Sequence, residues 1–230
     1  MLEKLLRLLK ITPEELINQA VLTSQALDEI NNFYERIENL LSGFSFTEKR
    51  KHYAYDHVIT HSKKVALYSI TVARSANLSP KDCSEIAIAA ILHDLDKLYW
   101  PVELLDKPKE ELSKADWTRI IEHTVAGAVF VERLTKYQIS QGILTIIKQH
   151  HENLDGTGYP TRISGKDICL GARIIRVADS YDSMTSIRPY KKQVLSYEDA
   201  LNDLKRKAGG IYDPDIVRLF EETFPESSLL

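Results

Sequence analysis

The apolar run Ile86-Ala87-Ile88-Ala89-Ala90-Ile91-Leu92 ends on His93-Asp94, and the run from Ile143 to Lys148 is followed by His150-His151. A helix that carries ionisable pairs at the end of an apolar run buries them, and burial without partners is costly. The fold must therefore supply those partners in its interior. Asp179 closes a third such run, ARIIRVAD, and His61 and His123 lie within further helix-like segments at intervals of roughly 30 residues. Neutral imidazole is the commonest side-chain metal ligand, and a carboxylate can bridge two ions. The pattern predicts a core organised around metal.

Helix signals recur along the chain, and no stretch sustains the alternation of a strand. Thr12-Pro13-Glu14-Glu15 supplies an N-cap, a proline at the first helical position and a capping glutamate. The stripe Leu16, Ala20, Leu27, Ile30, Tyr34, Ile37 and Leu41 follows and stops near Ser42-Gly43. That stripe fits a dimer seam or a helix laid on its own domain. Later starts are marked at Ser79-Pro80, Ser113, Ser196 and Asp213-Pro214, and Gly209-Gly210 ends the penultimate helix. Segments at about 54 to 76, 138 to 151 and 170 to 184 also read as helices. The expectation is an all-α chain, divided into an N-terminal helical segment over 1–50 and a main domain over 51–230.

The 230 residues are enough for a self-sufficient core. With 30 basic and 33 acidic residues there is no overall positive field to attract a nucleic-acid polymer. No run of about 18 uncharged apolar residues is present, which argues against a membrane span. Cys83 and Cys169 lie in separate apolar segments and read as free thiols, so a reducing, cytoplasmic setting is expected.

The segments THSKKVA, LHDLDK, WTRIIEHTVAG, HHENLDGTGYP, RVADSYDSMTS, RPYKK and AGGIYDP, in this order from His61 to about Phe220, resemble the HD-GYP branch of the HD-domain metal-dependent phosphohydrolases. The resemblance implies a helical bundle whose core holds two or three iron or manganese ions. It also implies hydrolysis of cyclic di-GMP to pGpG or GMP. By matching position, His61, His93, Asp94 and Asp179 would serve one ion and His123, His150 and His151 the other, with Asp94 shared. Metals at such a centre lower the pKa of water and neutralise charge on a phosphate, so no separate general base is required. The absence of cysteine from the set argues against structural zinc. His57, one turn before His61, stands where some family members carry a third-metal glutamate, and is read as a third-metal ligand, a neighbour of the ligands, or a surface residue.

The same resemblance implies that Lys97 acts on the phosphate, a catalytic role beside Asp94. It further implies that Arg188 and Lys191 contact phosphate and that Gly158 and Tyr159 lie against a guanine base. Asp155 is expected to organise its loop. The chain departs from the family at Asp96, where glycine is usual, and at Tyr99 and Trp100, where small residues are usual. A carboxylate near the phosphate would repel it, and the bulky pair would narrow the pocket. Two other readings remain open from sequence: a generic HD-domain nucleotide phosphohydrolase, and a non-enzymatic module that binds a cyclic dinucleotide or a protein partner.

Overall fold

Residues 58–135, 137–187 and 194–224 are described by the structure, a computed structural model. Eight α-helices occur among the described residues, joined by turns and short 3-10 segments, with no strand. The helix starts are those the caps specify. Ser79 accepts from the Asp82 amide at the start of α2, and Ser113 and Asp116 complete a capping box on α4. Ser196 and Asp213 cap the last two helices, and Gly209 takes a left-handed φ of 88° in the turn between them. The N-terminal helix expected near 12 to 43 lies outside the described residues, as do His57, Arg188 and Lys191.

The central helix is α2 (Pro80–Leu92), buried on almost every side from Cys83 to Leu92. It packs against α1 (Thr60–Ser75), α5 (Gln141–Gln149) and α6 (Leu170–Thr185). α3 is a single turn, Val102–Leu105, and α4 (Lys114–Leu134) lies across α5 and the 3-10 segment Leu95–Tyr99. α7 (Tyr197–Arg206) and α8 (Pro214–Thr223) close the side formed by α6 and α1. An aromatic cluster of Tyr68, Tyr181, Phe220 and Phe224 fixes that closure, and the Tyr197 hydroxyl donates to the Phe224 carbonyl at 2.6 Å.

The opening of α6 meets α2 and α5 closely. A Cβ on Gly171 would lie 2.7 Å from Ile146 Cδ1 and 2.9 Å from Ile86 Cγ1, so only glycine permits this approach. Ile143, Leu144, Ile147, Ile174 and Ile175 fill the interface, all essentially without solvent contact. Burial of side chains this size contributes about 1.5–3 kcal/mol each. This packing sets the C-terminal ends of α2 and α5 side by side, which is where the ionisable pairs sit.

Candidate metal centre

Three histidines are oriented by the same local device. His93 and His150 are the residues on which α2 and α5 end, and His123 lies in the middle of α4. Each directs Nδ1 at the carbonyl three residues back: Ala90 at 2.7 Å, Ile147 at 2.6 Å and Ile120 at 2.5 Å. A carbonyl only accepts, so Nδ1 carries the proton and Nε2 is left with a lone pair. His61, on α1, turns Nδ1 to Asp182 Oδ2 at 2.6 Å and Nε2 to Asp179 Oδ1 at 3.0 Å.

The freed Nε2 atoms converge on Asp94, whose two oxygens divide them. Oδ2 lies 3.4 Å from His93 Nε2 and 3.8 Å from His61 Nε2, whereas Oδ1 lies 3.4 Å from His123 Nε2 and 4.0 Å from His150 Nε2. Asp179 spans the cluster in a similar way, with Oδ1 at His61 and Oδ2 at 3.9 Å from His151 Nδ1. All seven residues expected from sequence as ligands are thus brought together. His61, His93 and Asp94 offer ligand atoms within 4.8 Å of one another, and so do His123, His150 and His151.

The donor set fits cations. The Nε2 atoms of His123 and His150 face each other at 3.2 Å. With both Nδ1 protons committed to carbonyls, that is two lone pairs in opposition, an arrangement that a cation relieves. His93 Nε2 and Asp94 Oδ1 are buried without a hydrogen-bond partner, which is costly for an apolar-lined interior and ordinary for ligand atoms. Protonation is a poor substitute. Burial, with His93 and His123 close by, holds the His150 pKa well below its usual value, and burial with His150 does the same to His151. For Asp94 burial pushes the pKa up, but His93 and Lys97 outweigh it and carry the carboxyl well below the ordinary range. Burial at Asp179 is likewise outweighed by its contact with His61.

Around this cluster, Lys97 Nζ donates to Asp94 Oδ2 at 2.7 Å. Tyr159 lies with its ring 4.9 Å from that of His151, and its amide donates to the His151 carbonyl at 3.2 Å. Burial raises the Tyr159 pKa far above the usual phenol value, so the hydroxyl stays neutral. Gly158 is buried where a Cβ would stand 2.3 Å from the Asn153 amide nitrogen and 2.5 Å from the His151 carbonyl. Its lack of a side chain lets the loop fold back on the segment that carries His151. Asp155 accepts from the Thr157 amide and hydroxyl, the loop-organising contact expected of it.

Asp96 departs from expectation. Its Oδ2 accepts from Trp100 Nε1 at 3.2 Å, and its Oδ1, sealed from solvent, lies where a Gly127 Cβ would meet it at 3.2 Å. Burial raises its pKa. The carboxylate is therefore turned into α4 and held by the indole, and the simple picture of a carboxylate exposed to the phosphate is corrected. The 3-10 segment from Leu95 to Tyr99 is what makes Asp96 and Trp100 neighbours.

Three residues of the site were not anticipated. Asp182 is 1% exposed and holds His61 while accepting from the Ser186 hydroxyl at 2.8 Å. Glu152 Oε1 accepts from the Thr161 amide and hydroxyl, each at 2.7 Å, and from the Arg162 amide, so it ties down the far side of the glycine loop. Arg176 bonds Asn153 Oδ1 and the Ser180 hydroxyl, joining that loop to α6. The only prior signal for Asp182 was its place three residues after Asp179, one turn along the same helix.

The family profile described as HD domain matches residues 52–216, most of the chain. The chain belongs to the HD-domain family. Within it the chain falls in the HD-GYP branch. A cyclic di-GMP phosphodiesterase of Pseudomonas aeruginosa is 32% identical over 209 residues, 89% of this chain and 48% of that protein. A 3'3'-cGAMP-specific phosphodiesterase of Vibrio cholerae is 33% identical over 155 residues, 67% of this chain and 33% of that protein. The chain spans half or less of the length of these relatives. Among solved structures, an HDG"Y"P protein from Bdellovibrio bacteriovorus shares the fold, with a TM-score of 0.65 and 21% identity over 96% of this chain and 64% of that one. No described helix of this HD-GYP chain is long and apolar enough to cross a membrane.

Proposed function

We propose that this chain is a metal-dependent phosphodiesterase that hydrolyses a cyclic dinucleotide, cyclic di-GMP foremost, to pGpG or GMP. The observation that carries the reading is Asp94, whose two oxygens serve two sets of imidazoles, each with its Nε2 freed by a contact at Nδ1. His61, His93, Asp94 and Asp179 would hold one iron or manganese ion, and His123, His150 and His151 another, with Asp94 between them. Bound there, such ions supply charge neutralisation at the scissile phosphate and an acidified water as nucleophile.

The remaining tasks fall to side chains. Lys97, fixed on Asp94 at 2.7 Å, stands where an ammonium can stabilise negative charge developing on phosphate oxygens. The neutral Tyr159 ring offers an aromatic face for a guanine base. Asp182 keeps His61 in one tautomer and orientation, the support that ligating imidazoles require. Arg188 and Lys191, outside the described residues, are assigned to phosphate by the family motif. Both cysteines are free thiols, which supports a reducing, cytoplasmic setting. The names of the relatives support the substrate class, and Asp96, turned into α4, no longer favours a generic nucleotide phosphohydrolase.

Anaerobic purification, elemental analysis and chromatography of the products of cyclic di-GMP test the proposal. The expected result is two or more iron or manganese ions per chain and release of pGpG or GMP. One zinc per chain with no hydrolysis of any cyclic dinucleotide refutes it.

A further inference from the structure

Trp100 is 5% exposed and stands at the side of the metal cluster, its ring 6.0 Å from that of His123. Asp96 anchors its indole nitrogen. Two cations use the ring: Lys97 Nζ is 5.8 Å from its centroid and the Arg119 guanidinium carbon is 5.6 Å away. Both distances are within the range of cation–π attraction. Lys97 is also tied to Asp94 and so belongs to the centre itself. Arg119 is different. It lies four residues before His123 on α4 and therefore on the same face, one turn nearer the helix start. Its side chain is exposed, and it has no carboxylate within ion-pair distance among the described residues.

An exposed guanidinium with an aromatic support and no ion-pair partner among the described residues is prepared for an anion. The ring restricts its rotamers before binding, which lowers the entropy that a ligand contact must overcome. Its planar fork matches two phosphate oxygens at once. The nearest anionic site of the proposed chemistry is served by Lys97. Arg119, held against the same indole, is available to a second anion.

We propose that Arg119, carried on Trp100 and steadied by Asp96, is a specificity-determining cation that engages the non-scissile phosphate of a substrate with two phosphate groups, while Lys97 attends the scissile one. This rests on the cyclic-dinucleotide reading above. On this view Asp96 and Trp100 form one element that selects a dinucleotide over a substrate with a single phosphate. The carboxylate contributes by fixing the indole.

The test compares manganese-loaded wild type, Arg119→Ala and Arg119→Lys on cyclic di-GMP and on bis(4-nitrophenyl) phosphate, which has one phosphate. Loss of a charge-assisted contact predicts that Arg119→Ala raises KM for cyclic di-GMP about 10- to 100-fold. The loss on bis(4-nitrophenyl) phosphate is smaller, so the ratio of the two kcat/KM values falls. Arg119→Lys recovers part of the difference, and metal content stays at the wild-type level in both variants. Equilibrium binding of a phosphorothioate analogue of cyclic di-GMP weakens by the same factor. Equal KM values for wild type and Arg119→Ala on cyclic di-GMP overturn this inference alone, as does an equal loss on both substrates. A loaded wild type that cleaves bis(4-nitrophenyl) phosphate and no cyclic dinucleotide overturns the functional proposal and this inference with it.

Discussion

Replacing Asp182 with alanine removes the carboxylate that holds His61 without touching any proposed ligand atom. The contact is short, 2.6 Å from Oδ2 to His61 Nδ1, and 1% exposed, so solvent does not screen it. Its loss frees the ring to rotate and permits the tautomer with the proton on Nε2, the nitrogen that faces Asp179 at 3.0 Å. Outer contacts of this kind are worth about 10- to 100-fold in metal affinity. That is about 1.4–2.8 kcal/mol at 1.4 kcal/mol per tenfold, in line with one charge-assisted hydrogen bond. Asp182 also accepts from Ser186 and lies 3.7 Å from Lys64, so some global destabilisation accompanies the change. Asp182→Asn separates the two effects, since it keeps the shape and an acceptor oxygen but not the charge. Calorimetric titration of metal-free protein with Mn²⁺, beside thermal melts of the same samples, measures both. The expected order of affinity is wild type, then Asn, then Ala, with His61→Ala weakest. Wild-type affinity in Asp182→Ala, with affinity lost in His61→Ala, would refute the positioning role.

Gly158→Ala should destabilise the protein by about 1–3 kcal/mol or more, because a Cβ 2.3 Å from Asn153 N forces the loop off the His151 segment; denaturant unfolding with an unchanged midpoint would contradict this. Metal-free protein should lose stability as pH falls below about 6.5, because His150 and His151 have folded pKa values below their unfolded ones and the unfolded chain binds the extra protons. Asp94 and Asp179, also lowered, add a second loss as pH drops beneath about 3.9, and melts that show no slope from about pH 8 to about pH 4 count against the histidine loss, while none from about pH 4 to about pH 2 counts against the carboxylate loss. Asp96→Gly should lower kcat/KM for cyclic di-GMP, since it releases Trp100; a gain would mean that the carboxylate repels substrate after all.

Local chemistry was readable from the residues themselves, and the long-range gathering of the ligands only through the resemblance to a family. Ser79, Ser113, Ser196 and Asp213 start their helices where their side chains can cap the next amides, and such contacts span only two or three residues. His93-Asp94, His150-His151 and Asp179 were readable for a related reason, since ionisable residues that close an apolar run have few bland explanations, whereas His61 and His123 were assigned by matching the family motif. Asp182 pairs with a histidine 121 residues away, on a different helix, and only its place one turn after Asp179 marks it. Asp96 and Trp100 are only four residues apart, so distance does not account for the difference there. In isolation Asp96 is a misplaced charge and Trp100 an oversized side chain, and each suggests a damaged pocket. The 3-10 segment joins them, the indole nitrogen meets the carboxylate, and Gly127 leaves room for the second oxygen. Two substitutions that look harmful one at a time thereby become a single support that holds an aromatic ring within reach of both Lys97 and Arg119, and a departure from a family pattern is best weighed against the residues that depart with it.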